Sequence, residues 1–417
     1  MNAEAMRSEP SRINTPATNG DRLWADIVST ARFGAADKGG VTRLTLTEED
    51  REVRDWYVAE CRALGCTVEI DAIGNIFATY AGEDMSLPAI AVGSHLDTQP
   101  QGGRFDGILG VLAGVEILRT LKESATRLRH PLVVVNWTNE EGSRFSPAML
   151  GSGVFAGAMA LDDAQARTDR EGVAVGAALD AIGYRGEATI DPASFAAYVE
   201  LHIEQGPLLE ASATEIGVVT GIQGLRWFDV AITGTEAHAG STPMAQRDDA
   251  LVAAAEIVLT VRDIAHQNPP GVGTVGFVEV GPNSRNVVPG SVRLQIDMRH
   301  PSEIGLDQMQ AALEDAVRKA GPGVALNHIW SKAPVVFDPT IVNAVRASTE
   351  ALGYSATDMV SGAGHDAAHI ATITPTAMIF VPSKDGLSHN EAEYTSPEEC
   401  AHGAEVLFQT ILEIDRR

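Results

Sequence analysis

Residues 87–118, LPAIAVGSHLDTQPQGGRFDGILGVLAGVEIL, decide the fold. LPAIAVGS is a short apolar run of the kind a strand covered on both faces requires, and Ile108, Val111, Leu112, Val115 and Leu118 then recur at helical spacing. Between them lies a glycine-rich turn carrying His95, Asp97 and Asp106. A buried strand that passes through a loop into a helix is the repeating step of an α/β domain, whose ligands bind beyond the carboxyl ends of the strands.

The same rhythm extends outward. TEEDREVRDWYVAECRALG predicts a helix opened by Thr47 and closed by Gly65, TVEIDAIGNIFATY reads as strand, and LVVVNW (132–137) is a second buried strand. Residues 222–335 change the order: RWFDVAIT, DDALVAAAEIVLTVRDIAHQ, GTVGFVEV, SVRLQIDM, SEIGLDQMQAALEDAVRKAG and VALNHIW give β-α-β-β-α-β, the split pattern of a ferredoxin-like domain. PTIVNAVRASTEALG, TAMIFVPS and SPEECAHGAEVLFQTILEI then resume the first rhythm. The expected fold is therefore an α/β domain with a mostly parallel central sheet (21–221 and 336–417), a ferredoxin-like α+β insertion (222–335) and a flexible polar arm (1–20).

Composition narrows the function. A chain of 417 residues, 44% hydrophobic and 21% charged, folds as a globular protein of about two domains. A formal charge of −25 repels nucleic acid and anionic lipid and leaves small molecules as the expected partners. The longest apolar candidate for a membrane span, GILGVLAGVEIL, is cut by Glu116 and falls short of the ~18 residues a bilayer needs. The first 20 residues lack the apolar core of a signal peptide, so a cytoplasmic protein is expected. Cys61, Cys66 and Cys400 are odd in number and form no CxxC pair, which indicates neither a disulfide framework nor a cysteine metal site.

Each chemistry-bearing motif has an ordinary structural reading beside a functional one. His95 and Asp97 share a face of an extended segment, so one could bind a metal while the other orients it, although His-x-Asp is also a common loop pattern. Asp106 could cap the following helix or bridge two cations. Glu140 and Glu141 follow a strand and suit either a solvated turn or a ligand beside a base. His202, in AAYVELHIEQGP, and His389, in VPSKDGLSHNEAEYT, read singly as a structural and a surface histidine. Together these residues form a nitrogen and oxygen donor set at strand ends, suited to Zn²⁺, Mn²⁺, Co²⁺ or Ni²⁺.

GSHLDTQPQGGRFDG, NWTNEEGSRF, LHIEQGP, EAHAGSTPM, SRNVVPGSVRLQIDMRHP, SGAGHDA and DGLSHNEAEYT, in this order, resemble the signatures of the dimetal aminoacylase and carboxypeptidase superfamily, and within it the hydantoinase/carbamoylase branch. The resemblance implies two divalent metal ions held by His95, Asp106 as the bridge, Glu141, His202 and His389, with Asp97 behind His95 and Glu140 as general base. It assigns His238 to the oxyanion, Asn286 and Arg299 to the substrate carboxylate and Gln205 to the substrate pocket. Without it, HAGSTP is an ordinary turn and the Arg-His pair an ordinary strand edge, although the planar fork of Arg299 matches a carboxylate as a lysine would not. The implied protein is a homodimer that joins through the inserted lid and hydrolyses the ureido C–N bond of N-carbamoyl amino acids. Allantoate amidohydrolase or another ureido or amide hydrolase of the superfamily is the alternative, and a non-catalytic ligand-binding homologue the third reading.

Overall fold

The computed structural model describes residues 16–417. Of the arm expected over 1–20, residues 1–15 lie outside the described residues. From there on the chain is tied down: Thr18 donates through N and Oγ1 to Glu405 at 2.8 Å each, and the Asn19 side chain caps α1 (Gly20–Thr30) by accepting from Arg22 N. The chain forms two compact units, one comprising the sequence to Val218 with Pro339–Thr357 and His365–Arg417, the other Val219–Asp338 with Asp358–Gly364.

In the first unit α1 is followed by α2 (Glu48–Leu64), β1 (Thr67–Ile70), β2 (Ile76–Tyr80), β3 (Ala89–His95), α3 (Ile108–Glu123) and β4 (Leu132–Trp137). Short helices α4 (Leu150–Phe155), α5 (Leu161–Gln165) and α6 (Val175–Ile182) precede β5 (Phe195–Ile203), α7 (Leu208–Ser212) and β6 (Ile216–Ile222), the strand along which the chain leaves the unit. TVEIDAIGNIFATY is a hairpin and not one strand. Asp71 accepts from Ile73 N and Asn75 N at 3.1 and 2.8 Å, and this side-chain turn reverses the chain so that β1 and β2 pair antiparallel.

The sheet order is β1-β2-β4-β3-β5, continuing to the late strand described below; β4, β3 and β5 run parallel and every residue of β3 and β4 is buried. Parallel strands end on one side, so His95 at the end of β3, Glu140 beyond β4 and His202 near the end of β5 come to one edge. A buried ion pair supports that edge, and a second acid is paired inside the helical layer. Arg54 on α2 bonds Asp50 at 2.8 Å and donates to the Gly74 carbonyl at 2.7 Å and to Thr138 at 3.3 Å, two residues before Glu140. Glu116, the acid that interrupts the apolar run of α3, is fully buried and receives Arg22 at 2.6 and 2.8 Å and Asn19 N at 2.8 Å.

The second unit contains β7 (Gly224–Thr233), β8 (Ala237–His238), α8 (Ala250–Gln267), β9 (Val272–Gly281), β10 (Val287–Val288), β11 (Ser291–His300), α9 (Glu303–Ala320), β12 (Val324–Lys332) and β13 (Val335–Val336). Its four long strands form an antiparallel sheet in the order β12-β7-β11-β9, the ferredoxin-like arrangement. Strict alternation along β7 and β11 buries Phe228, Val230, Ile232, Leu294 and Ile296 against Ile257 and Val261 of α8 and Met309 and Leu313 of α9. β14 (Ala356–Ser361) ends in this unit: Gln223 N donates to the Ser361 carbonyl at 3.0 Å and Thr220 Oγ1 to that of Met359 at 3.1 Å.

The first unit closes with α10 (Pro339–Leu352), α11 (Ala367–Ile370), β15 (Thr376–Val381), which pairs parallel with β5, and α12 (Pro397–Asp415). Ser396 and Glu399 form a capping box at the start of α12. Among the described residues the three cysteines are buried and free, and no helix is long and apolar enough to cross a membrane.

Gly93 shows how closely β3 and β4 approach. Its φ is +147°, and a Cβ there would lie 2.0 Å from the Val135 carbonyl oxygen. Gly93→Ala should therefore cost about 3 kcal/mol or more, read as a fall in Tm or loss of soluble protein. Gly65→Ala, at φ +98° but facing open space, should cost only about 1 kcal/mol.

Candidate metal centre

Five of the residues singled out by sequence converge on Asp106. Its Oδ1 lies 3.1 Å from His202 Nε2 and 3.5 Å from His95 Nε2, while Oδ2 lies 3.6 Å from His389 Nε2. His389 Nε2 is in turn 3.4 Å from Glu141 Oε2, and His95 Nε2 is 3.5 Å from Glu140 Oε2. The donor atoms form two groups, His95–Asp106–His202 and Asp106–Glu141–His389, each with its atoms within 4.8 Å of one another and with Asp106 common to both. All but His389, whose side chain is 50% exposed, are largely enclosed, so the centre opens at that histidine.

The local chain explains the placement. α3 begins at Gly107 without a side-chain cap, so Asp106 does not serve as an N-cap and its carboxylate is turned to the histidines. Gly107 has φ +68°, and a Cβ there would fall 2.3 Å from Cε1 and Nε2 of His95. Only glycine allows the helix to start against that ring. The non-glycine residues Asn139, Gln205 and His389 also hold positive φ, at 58°, 58° and 52°, a concentration of backbone strain at the site.

The supporting contacts refine the expected roles. His95 Nδ1 bonds the main-chain carbonyl of Asp97 at 2.9 Å, and the Asp97 carboxylate is farther away at 3.8 Å. That carboxylate instead accepts from Glu140 N and Glu141 N, both at 3.3 Å, so Asp97 holds the ligand loop and the acidic pair together. His202 Nδ1 bonds the Ile203 carbonyl at 2.8 Å. Gln205 Nε2 donates to Asp106 Oδ2 at 2.7 Å.

Sequence reasoning assigned no role to several groups packed here. Ser388 donates to Asp106 Oδ2 at 2.7 Å and Glu393 accepts from Asp106 N at 3.1 Å. Glu200 accepts from Ser94 Oγ at 2.7 Å and Ala367 N at 3.0 Å, and the His365 ring lies 4.5 Å from that of His202. Ser388, Glu393 and His365 stand inside quoted motifs, but a sequence gives no signal of contacts to partners so distant in the chain.

Electrostatics set the character of the centre. Burial disfavours charge on Asp106, yet His202 and His95 hold its carboxyl well below the usual range. Burial pushes Glu140 well above the carboxylate range; His95 opposes this, and Asp366 and Glu141 add to it. Burial and Asp106 push Glu141 up as well. Burial works against a charged His95, but Glu140, Asp106 and Asp97 lift it well above the ordinary histidine value. The protein has thus enclosed more acid than its own cations neutralise. In addition, His95 Nε2 is buried without a hydrogen-bond partner and faces two carboxylates. An orphaned ring nitrogen beside a shared carboxylate is what a divalent cation would complete, so the donor set fits a metal centre.

The second unit places its expected residues differently. His238 Nδ1 accepts from Gly240 N and Ser241 N at 3.0 and 3.1 Å, which puts the proton of the neutral ring on Nε2. Asn286 lies beside it, its carbonyl accepting from Ala239 N at 3.0 Å. Arg299 is engaged elsewhere, with Asp297 at 2.8 and 3.1 Å and the Gly362 carbonyl at 3.0 Å. The register pairs Ser291 with Thr233 and Arg299 with Leu225, so eight residues of β11, roughly 27 Å at about 3.4 Å each, separate Arg299 from the end where the β8–β10 arm leaves the sheet. Arg299 therefore lies toward one end of the sheet, and the β8–β10 arm that begins at Asn286 leaves from the other.

Comparison with known proteins agrees with this geometry. The model of peptidase family M20/M25/M40 matches residues 91–413. The N-carbamoyl-L-amino-acid amidohydrolase of Rhizobium meliloti is 48% identical over 400 residues, covering 95% of this chain and 96% of that protein. The allantoate amidohydrolase of Bacillus subtilis is 35% identical over 392 residues, covering 92% and 95%. The solved structure of an amidase of the hydantoinase/carbamoylase family from Burkholderia multivorans superposes with a TM-score of 0.94 at 47% identity, covering 97% of this chain and 99% of that one.

Protein stripped by chelator and titrated with Mn²⁺, Co²⁺ or Zn²⁺ should take up two ions per chain, measured by elemental analysis after desalting. Gly107→Ala, which drives a methyl into the His95 ring, should lose roughly one ion per chain while remaining folded.

Proposed function

Because the chain belongs to peptidase family M20/M25/M40 and its hydantoinase/carbamoylase branch, we propose that it is a metal-dependent amidohydrolase of N-carbamoyl-L-amino acids, which it converts to the amino acid, carbon dioxide and ammonia. One observation carries the reading: Glu140, only 7% exposed, stands beside two donor groups that share Asp106. The relative named for allantoate is less similar than the one named for N-carbamoyl amino acids, at 35% against 48% identity, so allantoate is the less favoured substrate. A ligand-binding protein without catalysis would have no need of a buried acid at this position.

His95, Asp106 and His202 would hold one ion, and Asp106, Glu141 and His389 the other. When bound, such ions act as Lewis acids toward the carbamoyl oxygen and acidify water. Glu140 accepts the proton of the attacking water at Oε2 and passes it to the departing nitrogen, a task for which burial, by raising its proton affinity, equips it. Gln205, with Oε1 buried and unpartnered, offers an acceptor to a substrate N–H. His238 offers a neutral Nε2–H to the oxygen on which charge develops. Arg299 binds the substrate carboxylate by exchanging its bond to Asp297 for one of the same kind.

The separation along β11 bears on assembly. The β8–β10 arm and Arg299 lie toward opposite ends of β11, which supports a site completed by a second copy, one copy supplying His238 and Asn286 and the other Arg299. The working enzyme is accordingly a homodimer.

Ammonia release should be greatest with N-carbamoyl-L-amino acids and lower with N-carbamoyl-β-alanine and allantoate; the reverse order would transfer the assignment. Glu140→Gln should lower kcat by about 10²- to 10⁴-fold with both ions retained. Arg299→Ala should lower kcat/KM without loss of metal. His238→Ala and Arg299→Ala homodimers should each be inactive, whereas their co-expressed mixture should regain about a quarter of wild-type turnover, because half the dimers are mixed and each has one intact site.

A further inference from the structure

We propose that Glu393 is a positioning residue that fixes the Oδ2 side of Asp106 and so sets the affinity of the Asp106–Glu141–His389 group for its divalent ion. The inference rests on the reading of that group as a metal site.

Glu393 stands four residues after His389 and is 5% exposed. It reaches Asp106 along two routes. Oε1 accepts from Phe105 N and Asp106 N, each at 3.1 Å, which fixes the main chain of the bridging residue. Oε2 lies 3.0 Å from Ser388 Oγ, whose one proton is shared with Asp106 Oδ2 at 2.7 Å, so both carboxylates are held to the same hydroxyl. Glu393 thereby joins two loops that lie 287 residues apart in the chain and that each carry a ligand of the same donor group. Both of its oxygens are committed to these bonds, and it belongs to neither donor group.

The sequence makes room for this contact. A Cβ at Gly103 would lie 2.0 Å from Glu393 Oε1, so the second glycine of QGGRFDG admits the carboxylate beneath the loop. The neighbours of the two residues are also locked together. Phe105 and Tyr394 meet edge to face at 5.8 Å, and Trp24 from α1 stacks on Phe105 at 5.8 Å. This aromatic group shields the hydrogen bonds from water and strengthens them.

Asp106 is held unequally on its two sides. Ser388 and Gln205 both bond Oδ2, the oxygen facing His389, whereas Oδ1 faces only His202 and His95. Loss of the Glu393 support therefore weakens the His389 side in particular. The hydroxyl of Ser388 has a single proton for two carboxylates. A glutamine at 393 would present Oε1 to the two main-chain N–H groups and an N–H to Ser388 Oγ, leaving the Ser388 proton for Asp106.

The test is Co²⁺ titration of the chelator-stripped protein, followed by calorimetry and by visible absorption, with His389→Ala identifying which step belongs to the proposed site. Wild type should bind two ions. Glu393→Ala should leave one step unchanged and weaken the His389-dependent step roughly 10- to 100-fold, while Glu393→Gln should stay within about threefold of wild type. Fewer than two ions in wild type would overturn the metal reading itself. Two ions in wild type with Glu393→Ala titrating like it, equal weakening of both steps, or a glutamine variant as weak as the alanine variant would overturn the positioning role alone. If the two unpaired N–H groups prevent Glu393→Ala from folding, Ser388→Ala decides, since it removes the contact to Oδ2 and leaves the main-chain bonds of Glu393 intact; it should show the same selective weakening.

Discussion

The shared carboxylate of Asp106 is the constraint on which the rest of the site depends. One oxygen meets His202 and His95, the other meets His389, and a single side chain thereby relates segments from three strand ends of the first unit. Such sharing is possible only if the main chain approaches the histidine rings closely. Gly107 supplies that approach at the start of α3, and Gly93 lets the preceding strand lie against β4. The glycines of the loop are thus steric requirements of a site assembled in a confined space.

Confinement has an electrostatic cost. Asp97, Asp106, Glu140 and Glu141 are withdrawn from water within a few residues of one another, and burial alone would drive each toward its neutral form. Histidine charge offsets part of this and main-chain N–H groups offset more, as at Asp97. The remaining imbalance is a local conflict with stability of the kind a protein keeps at a functional site. Burial also raises the proton affinity of Glu140, the direction a general base requires.

The second unit works by register. In the antiparallel sheet, β11 carries Arg299 toward one end, and the arm with His238 and Asn286 leaves from the other. Arg299 is kept oriented by Asp297, two residues away on the same face of the strand. The tautomer of His238 is likewise set locally, by the N–H groups of the turn that follows it.

The sequence by itself determined the alternation of buried strands and helices, the β-α-β-β-α-β order of the second unit, and the residue types available as metal donors, because periodicity and side-chain chemistry are local properties. It also placed those donors at strand ends, which a parallel sheet brings to one edge. Some local signals were open to another reading: Asp71 turns TVEIDAIGNIFATY into a hairpin through bonds a propensity argument does not count. Only the tertiary structure decided that Asp106 faces histidines and does not cap α3, that the Asp97 carboxylate grips the acidic pair, and that Glu393 lies beneath the loop of Gly103. It also placed Arg299 and the arm of Asn286 toward opposite ends of β11. These outcomes depend on the packing and pairing of segments, in places almost three hundred residues apart, and no spacing along the chain encodes such a contact.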